Sequence, residues 1–129
     1  MPRPPATQPT EVELQILRIL WELGPSGVRP IHARLEAEKG TNYSTTVKML
    51  SVMLEKGLVT RDEAERPHVY RAAVSQDRAR KKMLHELIDK LYDGSASSLV
   101  MHALSSQKAS PDELNEIRRM LDELEGKKP

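Results

Sequence analysis

At 129 residues, with 38% hydrophobic residues, no Phe, one Trp and three Tyr, the chain suits one small domain, or one plus an appendage, around an aliphatic core. The lack of cysteine excludes disulfides, thiolate zinc sites and a cysteine nucleophile, and no apolar run approaches the length of a membrane span or a signal-peptide core, so a cytoplasmic protein without membrane insertion is expected. The formal charge of +1 is evenly spread, ten Lys/Arg against nine Asp/Glu through Val74 and ten against ten after it, so composition gives nucleic-acid binding no support and any such reading must rest on architecture.

Residues 1–9 hold four prolines and few large apolar groups, and are expected to form a disordered leader. Thr10 then caps a first helix, with Glu13 three residues on completing a capping box. Leu14, Leu17, Leu20, Trp21 and Leu23 make its expected apolar face, and Gly24-Pro25 ends it. Val28 is expected in a short strand, and Pro30 at the first position of a second helix, where its missing N–H is harmless. Ile31 and Leu35 face inward four residues apart, and Gly40 stops that helix.

The third helix is expected to start at Ser44 as cap and to run to about Lys56, with Gly57 as its stop. Thr46, Met49, Leu50 and Met53 fall on one face and should pack on the first two helices. Ser44, Thr45, Val47, Lys48, Ser51 and Val52 make a small, polar, nearly uncharged opposite face. Residues 58–62 and 68–73 are rich in β-branched or aromatic side chains and flank the charged turn Glu63-Ala64-Glu65-Arg66-Pro67, which predicts a hairpin. Three helices followed at once by a hairpin is the layout of a winged helix-turn-helix, which reads duplex DNA.

From Ser75 onward the pattern is helical only. Met83, Leu84, Leu87, Ile88 and Leu91 recur at three- and four-residue spacing before Asp93-Gly94 breaks the helix. Residues 98–104 form a short apolar helix, and Ser110-Pro111-Asp112-Glu113 opens a last amphipathic helix lined by Leu114, Ile117, Leu121 and Leu124. Helices this short bury their apolar stripes poorly alone, so of the two readings, an intramolecular bundle or a core shared between two copies, the shared core is the simpler remedy. The expected organisation is therefore mainly α: a winged-helix domain over residues 10–74, a three-helix dimerisation domain over 75–125, and a short tail over 126–129.

With the hairpin, the Tyr92-Asp93-Gly94-Ser95 break and the Ser98-Leu99-Val100 helix in view, the chain resembles the BlaI/MecI family of penicillinase and methicillin-resistance repressors. The motifs that carry the resemblance are Glu13-Leu14-Gln15-Ile16-Leu17 with Leu20-Trp21, Tyr43-Ser44-Thr45 with Leu50, Glu55-Lys56-Gly57-Leu58-Val59, His68-Val69-Tyr70-Arg71, and Leu91-Tyr92-Asp93-Gly94-Ser95. Each is weak alone; their order and spacing across residues 10–124 are specific. The resemblance implies a cytoplasmic homodimer whose winged helices bind a palindromic double-stranded operator and whose C-terminal helices interlock. It also implies relief of repression when a protease linked to a membrane β-lactam sensor cuts the short helix of the dimerisation region, here at the His102–Ala103 bond, where the well-known members carry Asn-Phe. Copper-responsive relatives carry a cysteine-rich metal motif that this chain lacks.

On this layout Tyr43, Ser44, Thr45, Val47, Lys48 and Ser51 are the candidate DNA contacts of the third helix, with Arg61, Arg66 and Arg71 on the wing. Thr45 suits a thymine methyl or a base acceptor, Lys48 a guanine or a phosphate, and Ser44 a phosphate at the helix start. The plain alternatives remain: Ser44 as a cap only, Lys48 as a solvated charge, and the arginines as ordinary hairpin charges. Val47 and Val52 stand where family members place a basic residue. The candidate dimerisation residues are Leu84, Leu87, Ile88, Leu91, Leu99, Leu104 and Leu121. His32, His68, His85 and His102 show no metal-ligand spacing; His85 and Asp89 lie four apart, more often one solvated helix face than a metal site. No catalytic constellation and no cofactor motif is present, so a regulator is expected, with a winged-helix protein-docking module as the alternative function.

Overall fold

The computed structural model describes residues 9–126. It contains α1 (Glu11–Leu23), α2 (Val28–Lys39), α3 (Tyr43–Lys56), β1 (Val59–Asp62), β2 (Val69–Ala72), α4 (Gln76–Leu91), α5 (Ala96–Ser106) and α6 (Pro111–Leu124). This is the expected mainly helical chain with a hairpin wing after its third helix. Eight of the nine leader residues and three of the four tail residues lie outside the described range.

The start of α1 is fixed by a reciprocal pair of bonds. The Glu13 amide donates to Thr10 Oγ1 at 3.2 Å and the Thr10 amide donates to Glu13 Oε1 at 2.8 Å, which satisfies two otherwise orphaned donors. Glu13 is nevertheless fully buried, and its second oxygen lies 2.8 Å from Lys56 Nζ at the far end of α3. Burial raises the proton affinity of this carboxylate; the Lys56 ammonium and the Thr10 amide outweigh that and hold it below the ordinary value of 4.5. The face of α1 that enters the core is turned from the expected one. Ile16, Leu17, Ile19 and Leu20 are buried, Leu14 and Trp21 are half-buried, and Leu23 is exposed. Glu13 at the head of this face explains the offset: its charge is neutralised internally, so the helix does not rotate to expose it.

Two local expectations shift. The extended residue after α1 is Ser26, not Val28, and it pairs with Tyr70 through bonds of 3.0 and 2.8 Å. Val28 is already the first helical residue, with Gly27 as N-cap, so Pro30 occupies the third position of α2. Its missing N–H remains harmless there, because the first-turn amides have no partner within the helix. The second shift is at α3, where Asn42 rather than Ser44 is the cap. Asn42 Oδ1 accepts the Thr45 amide at 2.9 Å and the Ser44 hydroxyl at 2.9 Å, placing Ser44 inside the first turn. Both residue types cap well, and the asparagine stands three residues before the amide it satisfies.

Gly57, at φ +78°, ends α3 in the left-handed conformation, and the Leu58 amide donates back to the Met53 carbonyl at 2.9 Å. The chain thereby reverses into β1, which pairs antiparallel with β2 in the register Val59–Ala72, Thr60–Arg71, Arg61–Tyr70 and Asp62–Val69. Val59 and Tyr70 point into one apolar core with Ile16, Leu17, Ile19, Leu20, Ile31, Leu35, Leu50 and Met53.

The chain divides into two compact units between Met83 and Leu84, within α4, nine residues beyond the boundary at Val74 suggested by pattern. The first turns of α4 line an apolar recess with Leu17, Leu58 and Val74, through Ala79 and Met83. In the second unit α5 is capped by Ser95, and α6 by a Ser110–Glu113 capping box with bonds of 3.0 and 3.1 Å. Among the described residues no side chain of α4, α5 or α6 is buried.

Candidate nucleic-acid interface

The core holds one side of α3 and leaves the other free. Thr46, Leu50 and Met53 are fully buried, whereas Tyr43, Ser44, Thr45, Val47, Lys48 and Ser51 are all exposed. All six helical candidates thus lie on one open face, on a helix whose position is fixed from behind. Val52 is half-buried at the edge of that face.

The first turn of α3 is ordered by side chains that sequence spacing does not bring together. Tyr43 packs edge-on against the His32 ring of α2, with centroids 5.3 Å apart and planes at 85°. The Arg29 guanidinium lies 5.8 Å from the centre of the same phenol ring, in cation–π range. His32 Nδ1 is 2.9 Å from Thr46 Oγ1, and its Nε2 is 3.0 Å from Glu36 Oε2. Arg29 and Tyr43 share a recess with Gly27, Pro67 and His68, so the start of α2, the start of α3 and the root of the wing meet there. The Gly27 N-cap makes no side-chain bond to the first turn of α2.

The three wing arginines differ in their commitments. Arg61 Nη2 lies 2.5 Å from Glu63 Oε1, and Arg61 stands opposite Tyr70 in the hairpin register. The bond to Glu63, followed by that to Tyr70, raises the Arg61 proton affinity, and Arg61 in turn holds the Glu63 carboxyl below its usual range. Arg61 is half-buried and internally engaged, and it neutralises the acid that would otherwise repel a phosphate. Arg66 and Arg71 are exposed and, like Lys48, form no ion pair among the described residues. Arg71 faces outward from β2 because its neighbour Tyr70 points into the core.

In the second unit Leu84, Leu87, Leu91, Leu104 and Leu121 are exposed to between 39% and 70% of their surface, and Ile88 and Leu99 are half-buried. Val100, Met101, Met120 and Leu124 extend the same exposed apolar set. His102 and Ala103 are exposed on α5. His102 Nδ1 meets the Tyr92 hydroxyl at 2.8 Å, and its carbonyl accepts the hydroxyls of Ser105 and Ser106 at 3.0 and 2.8 Å. His85 and Asp89 form an exposed pair at 3.3 Å, and no group of three potential metal ligands occurs among the described residues. Nor does any described helix have the length and apolarity to cross a membrane.

Comparison with known proteins gives these surfaces a context. A family model described as "Penicillinase repressor" matches residues 9–123. The chain is 22% identical over 121 residues to a penicillinase repressor of Bacillus licheniformis, covering 94% of each chain. It is 22% identical to the methicillin resistance regulatory protein MecI of Staphylococcus aureus (strain N315), over 88% of this chain and 92% of that one. It is 27% identical to the transcriptional regulator BlaI of Mycobacterium tuberculosis, over 89% and 83% of the two chains.

Proposed function

The chain belongs to the penicillinase repressor family, and from that premise we propose that it is a transcriptional repressor that binds a two-fold operator as a homodimer. The observation that carries the proposal is the open face of α3, pinned by Thr46, Leu50 and Met53 and flanked by Arg66 and Arg71 on the wing. A helix so presented fits the major groove, with its N-terminal residues nearest the base edges. Thr45 and Lys48 read bases or adjacent phosphates, while Tyr43, Ser44 and the start of α2 hold the backbone. Val47 and Ser51 complete the contact surface without adding charge. Arg61 shapes the wing from within and contributes through Glu63 rather than by touching DNA.

Repression follows from occupancy: a dimer seated across a promoter occludes polymerase. Two recognition helices carried by one dimer meet grooves about one helical turn (~34 Å) apart, or a multiple of it. The exposed leucines of the second unit supply the interface between copies, because fully burying one such side chain is worth roughly 1.5–3 kcal/mol. The functional boundary in this reading stays at Val74–Ser75, ahead of the compact division inside α4: the residues up to it carry the DNA contacts, and the leucines from Leu84 onward carry the contacts between subunits. Relief of repression belongs at the exposed His102–Ala103 bond, which a protease reaches only after α5 opens locally. A protease linked to a membrane sensor fits that role in the cytoplasm.

A mobility-shift assay with a duplex from the protein's own promoter tests the DNA reading. Retardation should appear at submicromolar protein and fall steeply with salt, as phosphate contacts release counterions. A dimer with no affinity for any duplex would instead mark the winged helix as a protein-docking module.

A further inference from the structure

The contacts behind Tyr43 form a chain of hydrogen bonds whose direction depends on one proton. Glu36 is a carboxylate and only accepts, so His32 Nε2, 3.0 Å from it, carries a hydrogen in either ring state. Nδ1, on the other side of the ring, faces the Thr46 hydroxyl at 2.9 Å. The same hydroxyl lies 3.4 Å from the Asn42 carbonyl, which also accepts the Thr46 amide at 3.2 Å. With neutral imidazole, Nδ1 is an acceptor and the single Thr46 hydroxyl hydrogen turns to it. With imidazolium, Nδ1 donates to Thr46 Oγ1 and the hydroxyl hydrogen turns to Asn42, the residue that caps α3. Thr46 is fully buried, so water cannot stand in for either partner.

We propose that His32 is a positioning residue for DNA recognition: protonation reverses the His32–Thr46–Asn42 chain, tightens the first turn of α3 beneath Tyr43, and couples operator binding to uptake of a proton. This rests on the DNA-binding reading above. The charged and titratable groups around the ring are Glu36 and Arg29 on α2 and Tyr43 on α3, with His68 of the wing lining the recess that Arg29 and Tyr43 share. The ion pairs from α2 to α1, Arg34 with Glu22 and Lys39 with Glu11, use other residues of the helix. A duplex bound as proposed is polyanionic and favours the charged ring, so affinity should rise as pH falls.

Filter binding at constant ionic strength across about pH 5.5–8, where imidazole changes charge, provides the test. Wild-type protein should bind its promoter duplex about fivefold more tightly at the acid end, a coupling of about 1 kcal/mol. H32Q should be flat and H68Q should keep the wild-type slope; a folded H32Q that keeps the slope, or a wild type without one, overturns the proposal. If H32Q fails to fold by circular dichroism, E36Q decides, because losing the carboxylate should move the midpoint to lower pH and an unmoved midpoint refutes the coupling. Amide NMR of the free protein separates the two readings. Thr45 and Thr46 resonances should follow the His32 titration without DNA; if they do while no duplex binds, the DNA reading fails and the switch stands, and if they do not, the switch fails.

Discussion

Among the described residues, ten apolar side chains from α1 through β2 are buried in one core and none from α4 onward is, and nine of the thirteen large exposed apolar side chains lie in α4–α6. The two regions draw on similar residues, since both use leucine at helical spacing. They differ in whether the chain returns to cover its own stripe. The helix–hairpin layout brings three helices and a wing around one centre, so each stripe meets another. The later helices are also well formed locally, with capped starts at Ser95 and Ser110, yet a cap fixes a helix without giving its apolar face a destination. The first region closes its core within one copy, and the second leaves its apolar stripes uncovered among the described residues.

The sharpest way to break this contrast is to make the second region's surface intolerable to a partner. Replacing Leu87 and Leu121 with Asp should give monomers by light scattering and weaken operator binding by about 100-fold or more, because linked binding of two half-sites is lost. The thermal transition of the winged region should survive; persistent dimers would show that the interface lies elsewhere. Leu50→Ala attacks the opposite side and should cost the winged region about 2–5 kcal/mol in urea unfolding, the usual penalty for a cavity in a closed core. A loss under about 1 kcal/mol would mean that this core is less tight than its burial implies.

A subtler probe is Glu13→Gln, which keeps an oxygen for the Thr10 amide and removes the charge facing Lys56. We expect a loss of about 1–3 kcal/mol near neutral pH, below the 3–5 kcal/mol of a fully buried pair because Lys56 is partly solvated. The folded protein holds the Glu13 carboxyl below its ordinary value of 4.5, so this stabilisation is present above that value and is lost as pH falls through the folded one. The gap between wild type and variant in urea unfolding should therefore close at acid pH; a constant gap would refute the ion-pair account. The smallest effect is expected from Lys48→Ala, about 1 kcal/mol in operator binding with the salt slope reduced by about one. Unchanged affinity and slope would remove Lys48 from the interface.

The fold was legible because its signals are local and repeated: the Thr10–Glu13 box, the Gly57 stop, and the β-rich runs about a charged turn. The errors lie where two local rules compete. Asn42 and Ser44 both cap, and only the geometry of the Thr45 amide chooses between them. Val28 suits a strand as well as a helix start, and Gly27 decides in favour of the helix. At the interface the outward face of α3 follows from spacing, since its apolar residues assign the inward one. The His32–Thr46 contact and the Arg29–Tyr43–His68 recess were invisible, because they join residues of three elements that no periodicity relates. Spacing also could not show that Arg61 is spoken for by Glu63.

Trp21, the one tryptophan in the chain, donates its indole N–H to the Val74 carbonyl at 3.0 Å, just ahead of α4. Trp21 is thus an intrinsic optical probe of the joint between β2 and α4. Its emission maximum and quenching should report any slackening of that joint under the proposed operator binding or cleavage, in unlabelled protein and without a single engineered residue.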